Sequence, residues 1–352
     1  MTADTPVRVG IAGLGRSGWN IHAALLAELP DKFRIQAVAD PDPHRCREAA
    51  DRFGCRVVGG YDDLLRNDQV ELVIVALPTS LHTEASIAAL EAGKAVVCEK
   101  PMAVSLADTD RMIAEATRTG QLLTVFQNRR YVPDFLKVRE VLSSGVLGRI
   151  VLIRIVSSGF GRRWDWQTLK HCGGGTLNNN GVHFLDQAML LLGETEPKVL
   201  CHMERTLTLG DAEDHVKVIL QGQGAPMVEV ELSSACAYPT DVWQIMGTQG
   251  GLTGTTSHLR WKTIDPSTLP ERTVDERPTP DRSYNHEELA WHEETWDVAD
   301  YHGPGQAGYY LDLYRTLREG APLVVTPQSV RRVMAVIEEC HRLSPVWSLA
   351  GA

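Results

Sequence analysis

Apolar residues in the first third of the chain form short continuous runs that are separated by amphipathic segments. We predict strands over the runs VRVGIAG, RIQAVAD, LVIVALP, AVVCEKP and LLTVFQN, which begin at positions 7, 34, 72, 95 and 122. Capping residues and apolar spacing predict helices over residues 19–29, 44–53, 83–91 and 105–120, with a short helical turn at DDLLRN. Such strands joined by helices are typical of a parallel sheet covered on both faces. We therefore predict an α/β, doubly wound Rossmann domain over residues 1–127.

The second part of the chain, residues 128–352, has a different pattern. Several of its predicted strands alternate apolar and polar residues, in RIVLIRIVSS, KVLCHMERTL, DHVKVILQG, PMVEVELSSA and VWQIMGTQG. Helices are predicted over 134–143 and in the late segments GYYLDLYRTLREG and VTPQSVRRVMAVIEECHRL. We expect an exposed extension over 262–284 and a charged, solvated helix at HEELAWHEETW. The pattern predicts an α+β domain with a large, mainly antiparallel open sheet. We expect this domain to bind a substrate and to form the contacts of an oligomer.

Composition narrows the classes of partner. The 352 residues carry a net charge of -10, which disfavours contact with nucleic acid or an anionic membrane surface. The seven cysteines are scattered and show no CxxC spacing, so we predict no disulfide framework and no metal site. No apolar run is long enough to cross a bilayer, and the first strand begins almost at once. We expect a cytoplasmic protein.

A glycine-rich turn joins the first predicted strand to the first predicted helix. Its glycines, Gly13, Gly15 and Gly18, enclose Arg16 and Ser17. In this context the glycines allow a tight turn and the close approach of a pyrophosphate to a helix N-terminus. The turn therefore predicts a dinucleotide site.

Asp40 ends the second predicted strand, 22 residues after Gly18. A carboxylate there accepts hydrogen bonds from the adenosine ribose and repels the 2′-phosphate of NADP. We therefore predict NAD as the cofactor. His44 and Arg45 lie close in sequence and could offset such a phosphate, so NADP remains the alternative.

Two further segments suggest chemistry. Lys100 follows Glu99 at the end of a predicted parallel strand, where ligands bind in open α/β sheets and where a cation would stabilise a developing alkoxide. In GGGTLNNNGVHFLDQAMLLLG we expect the glycines to let the chain pass close to a ligand. Asn179 and His183 are four residues apart, so we expect them to share one helix face.

Arginine and aromatic residues follow the last Rossmann strand and fill the loop before these glycines. Planar guanidinium donors and aromatic faces suit the hydroxyl-rich rings of sugars and cyclitols, although such a loop could equally be an oligomer contact. The predicted substrate-binding residues here are Arg129, Tyr131, Arg163, Trp164 and Trp166.

Four segments resemble the Gfo/Idh/MocA family of oxidoreductases: GLGRSG, ALPTSLHTEASIAALEAGKAVVCEKPMA, the glycine and asparagine segment above, and DLYRTLREGAPLVVTPQSVRRVMAVIEECHR. The resemblance implies that Lys100 lies between nicotinamide and substrate and that His183 transfers the proton. It further implies cofactor contacts from Leu77, Pro78, Thr79, His82, Glu99 and Gln127. A cap or surface role for His82 is the alternative. Asn179 occupies a position where the family typically has an aspartate.

The predicted function is a reversible, NAD-dependent oxidation of a secondary ring hydroxyl of a sugar, sugar derivative or cyclitol. Lys100, His183 and Asn179 form the predicted catalytic group, and all three are also expected to contact the substrate. We expect a homodimer or homotetramer formed through the C-terminal sheet. Two alternatives stay open: an NAD-dependent glycosidase that oxidises the ring transiently and eliminates a leaving group, and a non-catalytic regulator that senses NAD(P).

Overall fold

The computed structural model describes residues 5–278, 282, 284–344 and 346, and the first part of these forms a six-stranded parallel sheet. Its strands are β1 (Val7–Ala12), β2 (Phe33–Ala39), β3 (Arg56–Val57), β4 (Leu72–Val75), β5 (Ala95–Cys98) and β6 (Leu123–Val125). They lie in the order β3-β2-β1-β4-β5-β6, the doubly wound arrangement that the sequence predicts. The turn between β1 and its helix therefore lies where the strand order reverses, next to β4.

Helices cover this sheet between its strands. They are α1 (Ala24–Ala27), which continues a π-helical turn at Gly18–Ala23, and α2 (Pro43–Phe53), α3 (Tyr61–Leu65), α4 (His82–Glu91) and α5 (Leu106–Thr119). The Ser105 hydroxyl accepts a bond of 3.0 Å from the amide of Asp108, and Gly120 ends α5 in the left-handed conformation.

The second sheet has eight strands. They are β7 (Ile150–Ser158), β8 (Lys198–Glu204), β9 (His215–Gln221), β10 (Met227–Ser233), β11 (Trp243–Gly247), β12 (Gly250–Gly254), β13 (His258–Thr263) and β14 (His292–Asp297). Their order is β14-β13-β12-β11-β7-β10-β9-β8, and every neighbouring pair is antiparallel except β7 with β10. The predicted fold class, a Rossmann sheet followed by a mainly antiparallel open sheet, is confirmed.

The remaining helices connect the two sheets. They are α6 (Pro133–Ser143), α7 (Val182–Leu192), α8 (Gly308–Glu319) and α9 (Pro327–Leu343). From α8 the Tyr310 ring packs on Phe33 of β2 with ring centroids 5.3 Å apart, and Arg318 forms an ion pair with Glu71 at 2.8 Å. Late residues thus complete the core of the first sheet. The boundary between two domains at residue 127 stays a prediction. Residues 1–4 of the first predicted domain and 347–352 of the second lie outside the described residues.

The segment HEELAWHEETW is not the charged helix that its composition suggests. Residues 292–297 form β14, an edge strand paired with β13. Trp296 is buried there opposite Leu259, while its neighbours in the strand are exposed. Charged side chains on an edge strand protect it from pairing with another molecule, which explains why a strand has a helix-like composition here. The extension expected over 262–284 begins inside β13, which ends at Thr263. Most of its remaining described residues are exposed, and positions 279–281 and 283 lie outside the described residues.

No helix in the part of the chain that the structure describes is long and apolar enough to cross a membrane.

A buried ion pair connects the turn after β6 to α7. The Arg130 guanidinium forms two bonds to the Asp186 carboxylate, of 2.6 and 2.8 Å, and both side chains are almost fully buried.

Arg130→Met should lower the free energy of unfolding by roughly 3 to 5 kcal/mol, because it leaves an uncompensated buried carboxylate. Denaturant titration measures this loss. The exposed pair Arg66 with Asp63 gives the control: Arg66→Met should cost at most about 1 kcal/mol, and equal losses would contradict the prediction.

Candidate active site

The glycine turn has the geometry of a phosphate site. Gly13 has φ of 91°, and a Cβ at this position would collide with the carbonyl group of Ala76 at the end of β4. A Cβ at Gly15 would meet no atom within 4 Å, so the backbone there borders open space. A dinucleotide pyrophosphate fits this opening, since it needs close approach to the backbone at the start of the following helix.

Asp40 lies beside the turn and is bound to it. Its carboxylate accepts bonds from the amides of Leu14, at 2.6 Å, and Asp42, at 2.8 Å. Arg45 approaches it at 3.7 Å. The negative charge therefore sits at the end of β2, as the sequence predicts, and also orders the turn. A carboxylate oxygen has two lone pairs, so these bonds leave acceptor capacity for ribose hydroxyls.

His82 holds two strand ends together. Its Nδ1 lies 2.9 Å from the carbonyl oxygen of Pro101, and its Nε2 lies 2.9 Å from that of Leu77. Burial opposes the charged form, but Cys98 and the two carbonyl groups raise the pKa of His82 to about 9. Both ring nitrogens are thus donors to backbone oxygens. The predicted cofactor contact of His82 would require one of these bonds to break.

A buried hydrogen-bonded chain supports the backbone at Lys100. The Glu99 carboxylate accepts from the Lys100 amide at 2.9 Å and lies 3.1 Å from Nε2 of His22, whose Nδ1 lies 2.5 Å from the Tyr310 hydroxyl. Burial would raise the pKa of Glu99, but His22 outweighs it and lowers that pKa to about 2. Sequence reasoning missed His22 and Tyr310, since neither belongs to a motif and they lie 288 positions apart.

Lys100, just after β5, acts electrostatically on His183 near the start of α7. The Lys100 ammonium donates a 2.8 Å bond to the backbone carbonyl of Asn179. Burial lowers the pKa of Lys100, and Arg129 and Arg16 lower it further, although Glu99 opposes them. Burial and the charges of Lys100 and Arg129 hold the pKa of His183 well below its ordinary value of 6.5. A half-buried ammonium group therefore acts on a buried, neutral imidazole.

Asn179 does not present its side chain as a regular helix would. Residues Leu177–Gly181 form a π-helical turn before α7 begins, so Asn179 and His183 are not separated by one α-helical turn as predicted. The Asn179 amide donates to the carbonyl oxygen of Gln167 at 3.2 Å. Its backbone carbonyl, rather than its amide, is the group bonded to Lys100.

Two of the neighbouring glycines, Gly174 and Gly175, are required by close approach to the protein itself, which the sequence did not indicate, and the expected approach to a ligand stays a prediction. A Cβ at Gly174 would collide with the backbone of Gln167 and Leu169. Gly175 has φ of 108°, and a Cβ there would collide with the buried carboxylate of Glu213. That carboxylate accepts the Leu177 amide at 2.8 Å and so fixes the start of the π-helical turn. The two glycines thus allow the backbone that precedes His183 to pack closely against Gln167, Leu169 and Glu213.

Two polar groups beside these residues have no partner within the described chain. Both amide atoms of Gln127 are buried without a hydrogen bond, and so is Nδ1 of His183. Unpaired buried polar groups are costly, and an amide ligand would satisfy Gln127. The carboxamide of a nicotinamide has the required donor and acceptor. Thr79 lies in the short turn Thr79–Leu81, directly after Leu77 and Pro78 at the end of β4. These residues fit a nicotinamide cofactor.

Comparison with known proteins agrees with this geometry. The family profile described as "Oxidoreductase family, NAD-binding Rossmann fold" matches residues 7–127, and the "GFO/IDH/MocA C-terminal domain" matches residues 135–253. The chain belongs to the Gfo/Idh/MocA oxidoreductase family. It therefore has an NAD(P)-binding Rossmann domain and the general function of an oxidoreductase.

Relatives in this family include dehydrogenases. The myo-inositol 2-dehydrogenase of Thermotoga maritima is 31% identical over 69% of this chain and 74% of its own length. An uncharacterized oxidoreductase of Schizosaccharomyces pombe is 30% identical over 70% of this chain and 69% of its own. Among solved structures, the Bacillus subtilis oxidoreductase YvaA has a TM-score of 0.82 at 24% identity and covers 97% of both chains. The fold of the Gfo/Idh/MocA family thus extends over nearly the whole chain.

The predicted substrate-binding residues have separate surroundings. Arg129 packs over the Phe184 ring of α7, with its guanidinium carbon 5.2 Å from the ring centroid. The Tyr131 hydroxyl donates a hydrogen bond of 2.9 Å to the Asp312 carboxylate of α8. Arg163 bonds to Asp165 at 2.9 Å, and Trp164 and Trp166 are 76% and 50% exposed. Only Arg129 of this group acts electrostatically on both Lys100 and His183. The roles of the others stay predictions.

The raised pKa of His82 predicts a pH-dependent stability. Its folded pKa, about 9, lies above the ordinary value of 6.5, so its stabilisation is complete below pH 6.5 and is lost as the pH rises through 9. The difference in free energy of unfolding between the parent and His82→Gln should fall by on the order of 3 kcal/mol across that interval. Denaturant titrations at several pH values measure it. A His82 difference that does not change with pH would refute the prediction.

Proposed function

We propose that the chain is an NAD-dependent dehydrogenase that oxidises a secondary ring hydroxyl of a sugar, sugar derivative or cyclitol. The observation that carries this proposal is the charge of the half-buried Lys100 ammonium, at the carboxyl end of β5, acting on a buried and neutral His183. The unpaired buried amide of Gln127 lies at the end of the neighbouring strand β6. The 31% identity to an inositol dehydrogenase supports a cyclic polyol as the substrate class.

The two side chains have complementary tasks. His183 is neutral over the working pH range, so it can accept the proton of the reacting hydroxyl. Lys100 stays a donor, and its positive charge stabilises the oxygen as negative charge develops there. The nicotinamide, when bound, supplies the acceptor for the carbon-bound hydrogen. In the reverse direction His183 returns the proton to the oxygen.

Other groups of the chain hold Lys100 in place. Its backbone amide is bonded to Glu99, which is fixed by His22, and its ammonium group is bonded to the Asn179 carbonyl. An ammonium anchored at both ends loses little freedom when it binds a hydroxyl oxygen, which favours a productive geometry. Burial of His183 and Gln127 also excludes water from the reacting groups.

NAD is the cofactor that we propose, in preference to NADP. Asp40 places a nearly buried carboxylate at the end of β2, where the ribose of the adenosine binds in this fold. A 2′-phosphate would meet its negative charge. Arg45, at 3.7 Å from the Asp40 carboxylate, is already paired and offsets the repulsion only in part.

We also propose that the chain assembles through the outer face of its second sheet. This face carries a ladder of ion pairs in which Glu229 binds Arg154, at 3.0 Å, and Lys217, at 2.9 Å. Exposed apolar side chains, Leu200 and Met246, lie beside the ladder. A second copy could cover these groups and satisfy the charges symmetrically.

A panel of sugars and inositols offered with NAD or NADP tests the proposal. Absorbance of the reduced nicotinamide should appear with at least one cyclic polyol, and faster with NAD than with NADP. Release of an aglycone without net reduction would indicate the glycosidase alternative instead. If no ring hydroxyl supports reduction of either cofactor, the dehydrogenase proposal is wrong.

Lys100→Ala gives the sharpest mutational test. The variant should bind NAD nearly as the parent does and lose roughly 100- to 1000-fold in kcat, because one donor to the developing oxyanion is removed. Steady-state kinetics with the best substrate of the panel, together with NAD titration, separates the two effects. Lys137→Ala, at a lysine paired with Glu140 on α6, is the matched control. A Lys100 variant with near-parental kcat would remove this residue from the mechanism.

A further inference from the structure

The arginines around the candidate site differ in their partners. Arg130 is neutralised by Asp186, at 2.6 Å, and Arg163 by Asp165, at 2.9 Å. The Arg129 guanidinium, by contrast, has no hydrogen bond or ion pair with any described residue of the chain. It is half-buried, and burial lowers its pKa, with only the more distant charge of Asp134 opposing that effect. Arg129 is therefore a cation that the protein itself leaves uncompensated.

The carboxylates near this cation are already engaged. Asp134 accepts the indole NH of Trp243 at 2.9 Å. Glu99 is bound to His22 and to the backbone amide of Lys100. Asn179, which contacts Lys100 through its carbonyl group, carries no charge.

The result is an excess of positive charge around His183. Lys100 and Arg129 both act on its imidazole. Among the described residues neither cation forms an ion pair, and each is compensated only at longer range, Lys100 by Glu99 and Arg129 by Asp134. Buried or half-buried charges are unfavourable unless a partner compensates them. An anion bound between these cations would supply that partner.

Arg129 lies near the proton-transfer residue His183, on the side of the site where the substrate is expected, and not at the glycine turn. Arg129 follows Gln127 after β6 and lies over the ring of Phe184, the residue next to His183. Its backbone carbonyl accepts the Gln187 amide of α7 at 2.9 Å. Arg16 belongs to the glycine turn, where the pyrophosphate of a dinucleotide binds in this fold. Arg129 is thus part of the wall that contains the proton-transfer residue.

We propose that the substrate carries an anionic group, a carboxylate or a phosphate monoester, that binds Arg129 while its ring hydroxyl binds Lys100 and His183. This inference rests on the proposed dehydrogenase function and narrows its substrate to acidic sugars or cyclitols. A planar guanidinium with free donors binds either anion through two parallel hydrogen bonds. The anion also orients the ring, since it fixes a second point of contact beside the reacting hydroxyl.

Binding measurements test the inference without any need for turnover. We would titrate D-glucuronate, D-glucose 6-phosphate and D-glucose into the enzyme saturated with NAD, by isothermal titration calorimetry. At least one of the two anions should bind roughly 10- to 100-fold more tightly than glucose, as expected for a hydrogen bond to a charged group. The two anionic sugars distinguish a carboxylate from a phosphate as the preferred group.

Variants locate the preference. Arg129→Gln should abolish the advantage of the anion, while Arg129→Lys, which keeps the charge but not the fork of donors, should retain part of it. Arg342→Gln removes the same charge from an exposed pair on α9 and should leave the preference intact. NAD affinity of each variant confirms that it is folded.

The contrary outcomes are distinct. Glucose binding as tightly as both anions, no binding of either anion, or a preference that survives in Arg129→Gln would each overturn the inference. Reduction of NAD by neutral sugars alone would contradict the acidic substrate and leave the dehydrogenase intact. A preference for the anion, without reduction of either cofactor by any sugar, would support the anionic ligand and contradict the dehydrogenase proposal.

Discussion

The charge of two half-buried cations, acting on one buried imidazole, is the constraint on which the candidate site depends. Lys100 and Arg129 act on His183, whose burial keeps their effect from being screened by water. Their charges and the burial of the ring disfavour an imidazolium, so the histidine remains a base where a solvated one would be partly protonated. The same charges create the potential that stabilises an alkoxide and attracts an anionic ligand.

Three separate parts of the fold hold these groups together. The end of β5 supplies Lys100. Hydrogen bonds between Glu99 and His22, and between His22 and Tyr310 of α8, fix this strand end. The turn after β6 supplies Arg129, and α7 supplies His183. Because α8 comes late in the sequence and packs on the first sheet, the cofactor side and the substrate side are parts of one packed core. Changes in α8 are therefore expected to reach Lys100 through its backbone.

Local patterns made much of this predictable. The glycine turn, the apolar strands and the position of Lys100 at a strand end follow from residue spacing within about thirty positions. Long-range contacts were not accessible in this way: Gly175 is required by Glu213, and His22 by a tyrosine far along the chain. The strand at Trp296 was mistaken for a helix because its exposed side chains are charged whichever structure they adopt. The π-helical turn that redirects Asn179 has no sequence signature.

The protonation of His183 is the property that tests this account most directly. Protein labelled with ¹⁵N-histidine contains 12 imidazoles, and the signals lost in His183→Gln identify the relevant one. Its nitrogen shifts, followed by NMR against pH in the enzyme without substrate, report whether the ring is neutral. The account predicts a neutral ring throughout the range in which the protein is folded near neutral pH, with a pKa well below 6.5. A His183 that becomes protonated at or above pH 6.5 would contradict the effect of burial and of the neighbouring cations on which the proposed chemistry rests.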